Sequence, residues 1–574
     1  MGLYEKRQDD WAGRLILYNM AGTDNFEEPY DSSFKTPSDL TLQLENGHVK
    51  HVPPRLKKTT PNFHLIMPSE RDSNGFCKAT LSAMVLNYPP PTVVQLHSGH
   101  GSSEKRQEAI LSDTLHYLSN QKLVKDQDLV LIVDAQETRF QLPGDVIIAQ
   151  YKQLLVDGNT RLLKRYGTDE NGAQKFNQTI IFGAEKLCEG DDMACKYVPL
   201  SIFPDDMYGA EAGRRISETP AKFLNARTVM GPAGDLRTLY EAALKKFQER
   251  KSQSQTIQSV MATLFAEQQL NRDAFEVKTK SSSAKLKDLF RGRLSDSLAK
   301  NRLYRAKASL SNFTTLDFSI GLDYTHTLFQ PLSYTTPDEI IPLMHTESIN
   351  LTQYTHHSPD TIYLSLPAAL STAKPPFSRP DFTAPNPSPN QKPSHMENLE
   401  YKLHLDALPD RTVQWPSIPL IQNTYTGAIP AVLSFPPTAP DNTSPSANIS
   451  EADLWYSPYK RALLRNVFRN RQSPKGYHDA AVGGDREWDR RGGLGGVWMA
   501  GEGTWVPWGQ QEEDGSGGVC GGERDMEVFG DGKGVWMKEG EGDGGKKRGE
   551  GEEIVQRRKK RWELERENFE IVVA

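Results

Sequence analysis

Asp128-Leu129-Val130-Leu131-Ile132-Val133-Asp134-Ala135-Gln136-Glu137 is an unbroken apolar run that ends in two carboxylates. A short continuous run of Leu, Val and Ile reads as a strand buried on both faces, as in a parallel sheet. Asp134 and Glu137 then precede a turn-like Gln141-Leu142-Pro143-Gly144. Acids at the carboxyl end of such a strand stand in the crevice where open α/β sheets take ligands. Two hard oxygen donors there suit a divalent cation held against a diphosphate. The plainer alternative is an aspartate that caps the element that follows.

The residues before this run alternate strand and helix. Asn62 to Met67 reads as a strand, Cys77 to Leu86 as a helix and Thr92 to His97 as a second strand. Glu104 to Leu118 places Ala109, Ile110, Leu111, Leu115 and Leu118 at helical spacing. Strand, helix, strand, helix, strand and then acids describes one half of a doubly wound nucleotide-binding fold. No G-x-G-x-x-G and no P-loop follows the first strand, which argues against a dinucleotide or a kinase-type phosphate cradle. A nucleotide-sugar type of site remains.

From about Asn62 to Trp536 the order of segments resembles fungal proteins related to the glycosyltransferase domain of procollagen lysyl hydroxylases. The resemblance is carried by Val85-Leu86-Asn87-Tyr88-Pro89-Pro90, the strand ending at Asp134, Phe140-Gln141-Leu142-Pro143 and Phe182-Gly183-Ala184-Glu185-Lys186. It continues through Phe223-Leu224-Asn225, Thr228-Val229-Met230-Gly231-Pro232 and Ile320-Gly321-Leu322-Asp323-Tyr324. Thr426-Gly427-Ala428-Ile429-Pro430 and Phe529-Gly530-Asp531-Gly532 with the following Lys533 to Trp536 complete it. The resemblance implies a GT-A-like α/β fold with a mixed central sheet, and sugar transfer from a UDP-sugar to a glycan or protein acceptor. It also implies a divalent metal, Mn²⁺ by preference, on Asp134 and Glu137. Asp134, Glu137 and Gln258 would form the catalytic set, and Asn225, Arg227 and Thr228 would hold the donor.

The chain departs from that pattern at the site itself. The family's D-x-x-D is Asp134-Ala135-Gln136-Glu137 here, and Ser434 stands where the family's third metal ligand is a histidine. A neutral hydroxyl is a far weaker ligand than imidazole. The family's S-D-Q is Thr256-Ile257-Gln258, so an aspartate suited to proton transfer has become an aliphatic side chain. L-N-S-G-T has become Leu224-Asn225-Ala226-Arg227-Thr228, replacing a glycine by a cation. Arg227 is therefore also a candidate diphosphate contact. Two functional expectations follow: a UDP-sugar-dependent transferase with a weakened metal site, or a pseudoenzyme that keeps the fold as a binding or scaffold protein.

The 574 residues suffice for one large domain with appendages, and a formal charge of −6 gives no reason to expect nucleic-acid binding. No apolar run reaches the roughly 18 residues of a membrane span. Met1 to Met20 carries Asp9 and Asp10 ahead of a short apolar core, Leu15 to Tyr18, and does not read as a signal peptide. The resemblance nevertheless implies the Golgi or ER lumen, and sequons at Asn177, Asn312, Asn350, Asn442 and Asn448 accord with it. Cys188 and Cys195 close a short loop that either a disulfide or two free thiols would fit.

The domain-like region is expected over 59–437, preceded by a disordered 1–58. Within it, 278–307 is a basic stretch with apolar residues at helical spacing, read either as a helix packed on the core or as a membrane-surface helix. Residues 354–395 read as a Pro-rich loop in which His356-His357 lacks a third ligand nearby, and 438–452 as a linker. The Gly/Trp-rich 453–540 is expected as a β-rich C-terminal cap, its indoles either packing that cap or stacking on sugar, before a charged tail at 541–574.

Overall fold

The structure is a computed structural model that describes residues 61–69, 73–95, 102–188, 194–195, 201–203, 207–208, 215–249, 255–279, 317–346, 366–378, 408–410, 412–436, 449–460, 462–464, 496–501, 504–509 and 518–520. The N-terminal 1–58, the basic stretch beyond Thr279, His356-His357 and the charged tail lie outside these residues.

Phe63–Pro68 (β1), Asn74–Val85 (α1), Thr92–Val94 (β2), Ser103–Ser119 (α2) and Leu129–Val133 (β3) follow in the order expected. β1 lies between β2 and β3 and runs parallel to both, with Ile66 opposite Thr92 and Leu65 opposite Leu131. Successive strand side chains point to opposite faces. Leu65, Met67, Leu131 and Val133 therefore join one core with α1, while Ile66, Val130 and Ile132 join the other with α2. Helices on both faces explain why β3 is apolar without alternation.

Local chemistry sets the boundaries. Ser73 caps α1 by accepting the Phe76 N–H at 3.3 Å, so the helix starts before the apolar periodicity does. Asn87 then adopts φ +59° and ends it, a conformation asparagine tolerates better than most residues. Gln95, at φ +67°, ends β2 three residues earlier than the expected His97.

The chain continues with Thr138–Phe140 (β4), Gly144–Tyr166 (α3), Ile180–Glu185 (β5), Phe223–Pro232 (β6), Ala233–Glu249 (α4) and Ile257–Thr279 (α5). Ile320–Asp323 (β7), Phe329–Pro331 (β8), Ile340–Leu343 (β9), Ala368–Thr372 (α6), Leu420–Asn423 (β10) and Val432–Ser434 (β11) come next. Gly496–Met499 (β12), Thr504–Gly509 (β13) and Val519–Cys520 (β14) close the described chain. The central sheet is nine-stranded in the order β14-β13-β12-β2-β1-β3-β6-β5-β7. β6 runs antiparallel to both its neighbours, so the sheet is mixed, as expected of this α/β class. A small three-stranded sheet, β4-β11-β8, and the β9–β10 pair lie beside it.

The C-terminal segment differs from the cap drawn from the sequence. β12 pairs in parallel with β2, Trp498 opposite Thr92, so the described strands extend the main sheet and cover an edge that would otherwise stay open. Trp455 sits in the first core, edge-on to Trp415 and Phe377, and donates to the Gln141 carbonyl at 2.9 Å. Disulfides join Cys77 of α1 to Cys520 of β14, and Cys188 to Cys195.

Candidate functional site

The strand-end carboxylates occupy a tight turn. The Asp134 N–H donates to the Arg227 carbonyl at 2.8 Å, continuing the β3–β6 ladder beyond Val133. The Asp134 side chain accepts the Gln136 N–H at 2.8 Å, and its carbonyl accepts the Thr138 N–H at 3.2 Å. The Asp134 side chain therefore closes the turn that leads into β4. Gln136 meets the start of α1: Ser73 Oγ donates to Gln136 Oε1 at 2.7 Å, and a Cβ on Gly75 would lie 2.4 Å from the Gln136 carbonyl oxygen. The turn stands at the carboxyl end of β3, beside the parallel β1, the end at which open α/β sheets take ligands.

Gln141, in the Phe140-Gln141-Leu142-Pro143 segment, brings the distant Ser434 to this turn. Its amide donates to the Ile421 and Pro430 carbonyls and accepts the Ile421 N–H, at 3.0, 2.9 and 2.8 Å. Docked in this way, the Thr426–Pro430 turn feeds β11 antiparallel to β4, with Ser434 opposite Thr138. The Phe435 N–H then donates to the Glu137 carbonyl at 2.8 Å. Asp134, Glu137 and the sequence-distant Ser434 share one corner of the fold.

The Arg227 guanidinium also belongs to this corner. Its Nη1 lies 2.9 Å from Glu137 Oε2, and the arginine side chain is 40% exposed against 11% for the glutamate. The other expected donor-binding residues lie deeper. Asn225 is buried and donates to Glu185 at 2.9 Å while accepting the Arg227 N–H at 3.0 Å. Thr228 is buried against Gly183, where an added Cβ would come within 2.5 Å of Thr228 Oγ1. Gln258 accepts the Ala226 N–H at 2.7 Å and donates to the Leu224 carbonyl at 2.6 Å. It braces the strand that carries Asn225 to Thr228. Ile257 packs on the second core, its N–H bonded to Gln107 at 2.6 Å.

A second polar cluster, unassigned by the sequence reading, follows the carboxyl end of β5. Lys186 is buried, 2.6 Å from Glu339 and 2.7 Å from the Ser217 carbonyl, with its ammonium 4.3 Å from the Tyr208 ring centroid. Tyr208 donates to Glu339 at 2.8 Å and stacks on Tyr425. Burial, with Glu339 beside it, holds the Tyr208 phenol well above its usual value, so it remains a proton donor. A Glu-Lys pair closing an apolar strand, Glu185-Lys186, was the available signal. Asp323 is structural: it accepts the N–H groups of Thr327, Leu328 and Phe329 at 3.0, 2.6 and 3.0 Å and turns β7 into β8.

The implied metal does not fit this donor set. Glu137 is already neutralised by a guanidinium, one Asp134 oxygen serves the turn, and Ser434 is a buried neutral hydroxyl. Among the described residues no group of three His, Cys, Asp or Glu side chains is arranged to hold a cation. Fold and site together define a mixed α/β protein with a polar corner at the carboxyl end of β3. No protein-family model matches the chain, and no curated protein matches it.

Proposed function

We propose that this is a glycosyltransferase-like protein of GT-A type that takes a UDP-sugar at the corner formed by Asp134, Glu137, Arg227 and Ser434. The observation that carries the reading is the convergence of Ser434 on the Asp134–Glu137 turn through the β4–β11 pairing. These are the positions that the resemblance singles out, and they lie at the carboxyl edge of a doubly wound half. In transfer, the bond from the anomeric carbon to the diphosphate oxygen breaks and its electron pair leaves with UDP. The acceptor hydroxyl supplies the new C–O bond and releases its proton. The two disulfides support a lumenal setting, since such bonds persist in oxidising compartments. Among the described residues no helix is long and apolar enough to cross a membrane.

A second reading, donor binding without transfer, is favoured by the Arg227–Glu137 pair and by Ile257 in place of a proton-transferring aspartate. One experiment separates the two. The full chain is melted with UDP, ADP and GDP, and UDP release is followed with a panel of UDP-sugars and candidate acceptor glycans. UDP at 100-fold over its Kd is expected to stabilise the fold by about 2.7 kcal/mol. Stabilisation with turnover supports the transferase, stabilisation without turnover the pseudoenzyme, and no shift with any nucleotide removes both.

A further inference from the structure

The sequon at Asn177 carries an inference that rests on the lumenal setting of the reading above and not on its nucleotide-sugar site. Asn177-Gln178-Thr179 has the acceptor pattern for N-linked glycosylation, an asparagine followed two residues later by a hydroxyl side chain, with no proline between. Of the five such asparagines it alone lies among the described residues.

The residues around the Asn177 side chain are committed to the fold. The Asn177 carbonyl accepts a bond from Arg272 at 3.0 Å, and that arginine is buried and paired with Asp317. Gln178 is buried where an added Cβ on Gly158 or Gly321 would strike its side chain. Thr179 is buried, and its hydroxyl donates to Asp235 at 2.6 Å. The Asn177 amide is different. It makes no hydrogen bond among the described residues, and neither of its polar atoms is enclosed. A buried amide would need partners, whereas one that reaches solvent needs none.

The position also leaves the candidate site open. β5 is antiparallel to β6 and β6 to β3, so β5 and β3 run the same way. Asn177 precedes β5 and Asp134 follows β3, which sets them at opposite edges of the sheet.

We propose that Asn177 carries an N-linked glycan, added before β5 docks into the sheet. The Asn177 side-chain nitrogen forms a bond to the anomeric carbon of a lipid-linked oligosaccharide. The bond from that carbon to the lipid's diphosphate breaks, its electron pair leaves with the diphosphate, and the amide gives up one proton. The acceptor pattern is read through the hydroxyl as well as the amide, and the folded chain buries the Thr179 hydroxyl against Asp235. Attachment therefore comes first, and folding then leaves the glycan at the amino edge of the sheet.

The test uses the full chain purified from eukaryotic cells without reductant, deglycosylated enzymatically in heavy-oxygen water and mapped by mass spectrometry. Asn177 is expected as an aspartate that carries the heavy oxygen. Asn177→Gln should lose one glycan's step in gel mobility. Thr179→Ser, which keeps both the acceptor pattern and a hydroxyl for Asp235, should retain that step, and melting of both variants establishes that they are folded. For the order of events, folded unglycosylated full chain and a peptide of residues 172–184 are offered to one oligosaccharyltransferase with a lipid-linked oligosaccharide. The peptide is expected to be modified and the folded chain not. Asn177 recovered without the label overturns the inference. If Cys77 and Cys520 are then found bonded, the lumenal setting survives that failure, and if all four cysteines are thiols it falls as well. Modification of the folded chain at Asn177, or a peptide that is not modified, overturns the proposed order.

Discussion

Gly75 sets how closely the first helix approaches the Asp134–Glu137 turn. A methyl group there would lie 2.4 Å from the Gln136 carbonyl oxygen, a backbone atom that cannot swing aside. Gly75→Ala should therefore displace the turn and cost about 1–3 kcal/mol of stability, as overpacking does. Chemical denaturation checks the stability, and UDP binding checks that the turn has moved. An unchanged midpoint would mean that the helix start yields instead. Such contacts are invisible in the sequence, where Gly75 is simply a residue before an apolar run. The same holds for the Arg227–Glu137 pair, whose members are 90 residues apart and meet because sheet register sets Val133 opposite Thr228. Asp134, Glu137 and Ser434 were legible as a set through the resemblance, although their convergence needed the Gln141 clamp. Asn225 and Thr228 share the strand of Arg227, but strand alternation and the Gly183 approach bury them, which sequence spacing does not reveal.

At the scale of elements, the segment 449–464 is the least expected part of the core. Its composition suggested a linker giving way to a separate cap, yet Leu454, Trp455 and Tyr456 are buried beside β4 and α3 residues. Trp455→Ala should cost about 3–5 kcal/mol, the range for truncating a buried aromatic. Trp455→Phe keeps most of the packing and removes the bond to the Gln141 carbonyl, so the difference between the variants in urea unfolding isolates packing from hydrogen bonding. Glu451 ties the same segment to β4 and α1 through Arg139 and Lys78. Burial alone would raise its carboxyl, but the Arg139 charge and the hydrogen bonds from Lys78 and Arg139 outweigh it and hold the group below the ordinary glutamate value. The unfolded chain therefore takes up this proton more readily. The pairing stabilises fully above the ordinary glutamate range, and that contribution is lost as pH falls through the depressed folded value. Melting curves of Glu451→Gln should run below the parent at neutral pH and converge with it in acid. A constant offset at all pH values would assign the effect to packing. By contrast, β1 to β3 and their helices were legible throughout, because burial on both faces leaves a continuous apolar run and α2 keeps its helical period.

At the scale of the whole molecule, the sheet grows from its middle towards an edge that only the C-terminal strands complete. β12 to β14 come from a Gly-rich stretch without strand alternation, so their placement beside β2 follows from the edge they cover. Cys520, in the outermost strand, is bonded across a sequence separation of 443 to Cys77, which is buried in α1 against the first core. The second bridge, Cys188–Cys195, spans a separation of only 7 and was foreseeable from proximity. Cross-links that close long loops remove more freedom from the unfolded chain than those that close short ones. The long bridge should therefore contribute the larger share, about 2–4 kcal/mol being typical of a native disulfide. It also holds the edge strands to the helix whose first turn meets the Asp134–Glu137 turn, so its loss should reach the site. Removing the pair as Cys77→Ala with Cys520→Ala is expected to lower the guanidinium midpoint and make it nearly insensitive to added reductant. Removing Cys188 and Cys195 should leave most of that sensitivity in place. Non-reducing peptide mapping should recover the peptides that carry Cys77 and Cys520 as one species. If they run separately in protein purified without reductant, the edge is held by pairing alone, and the stability difference between the two double variants should vanish.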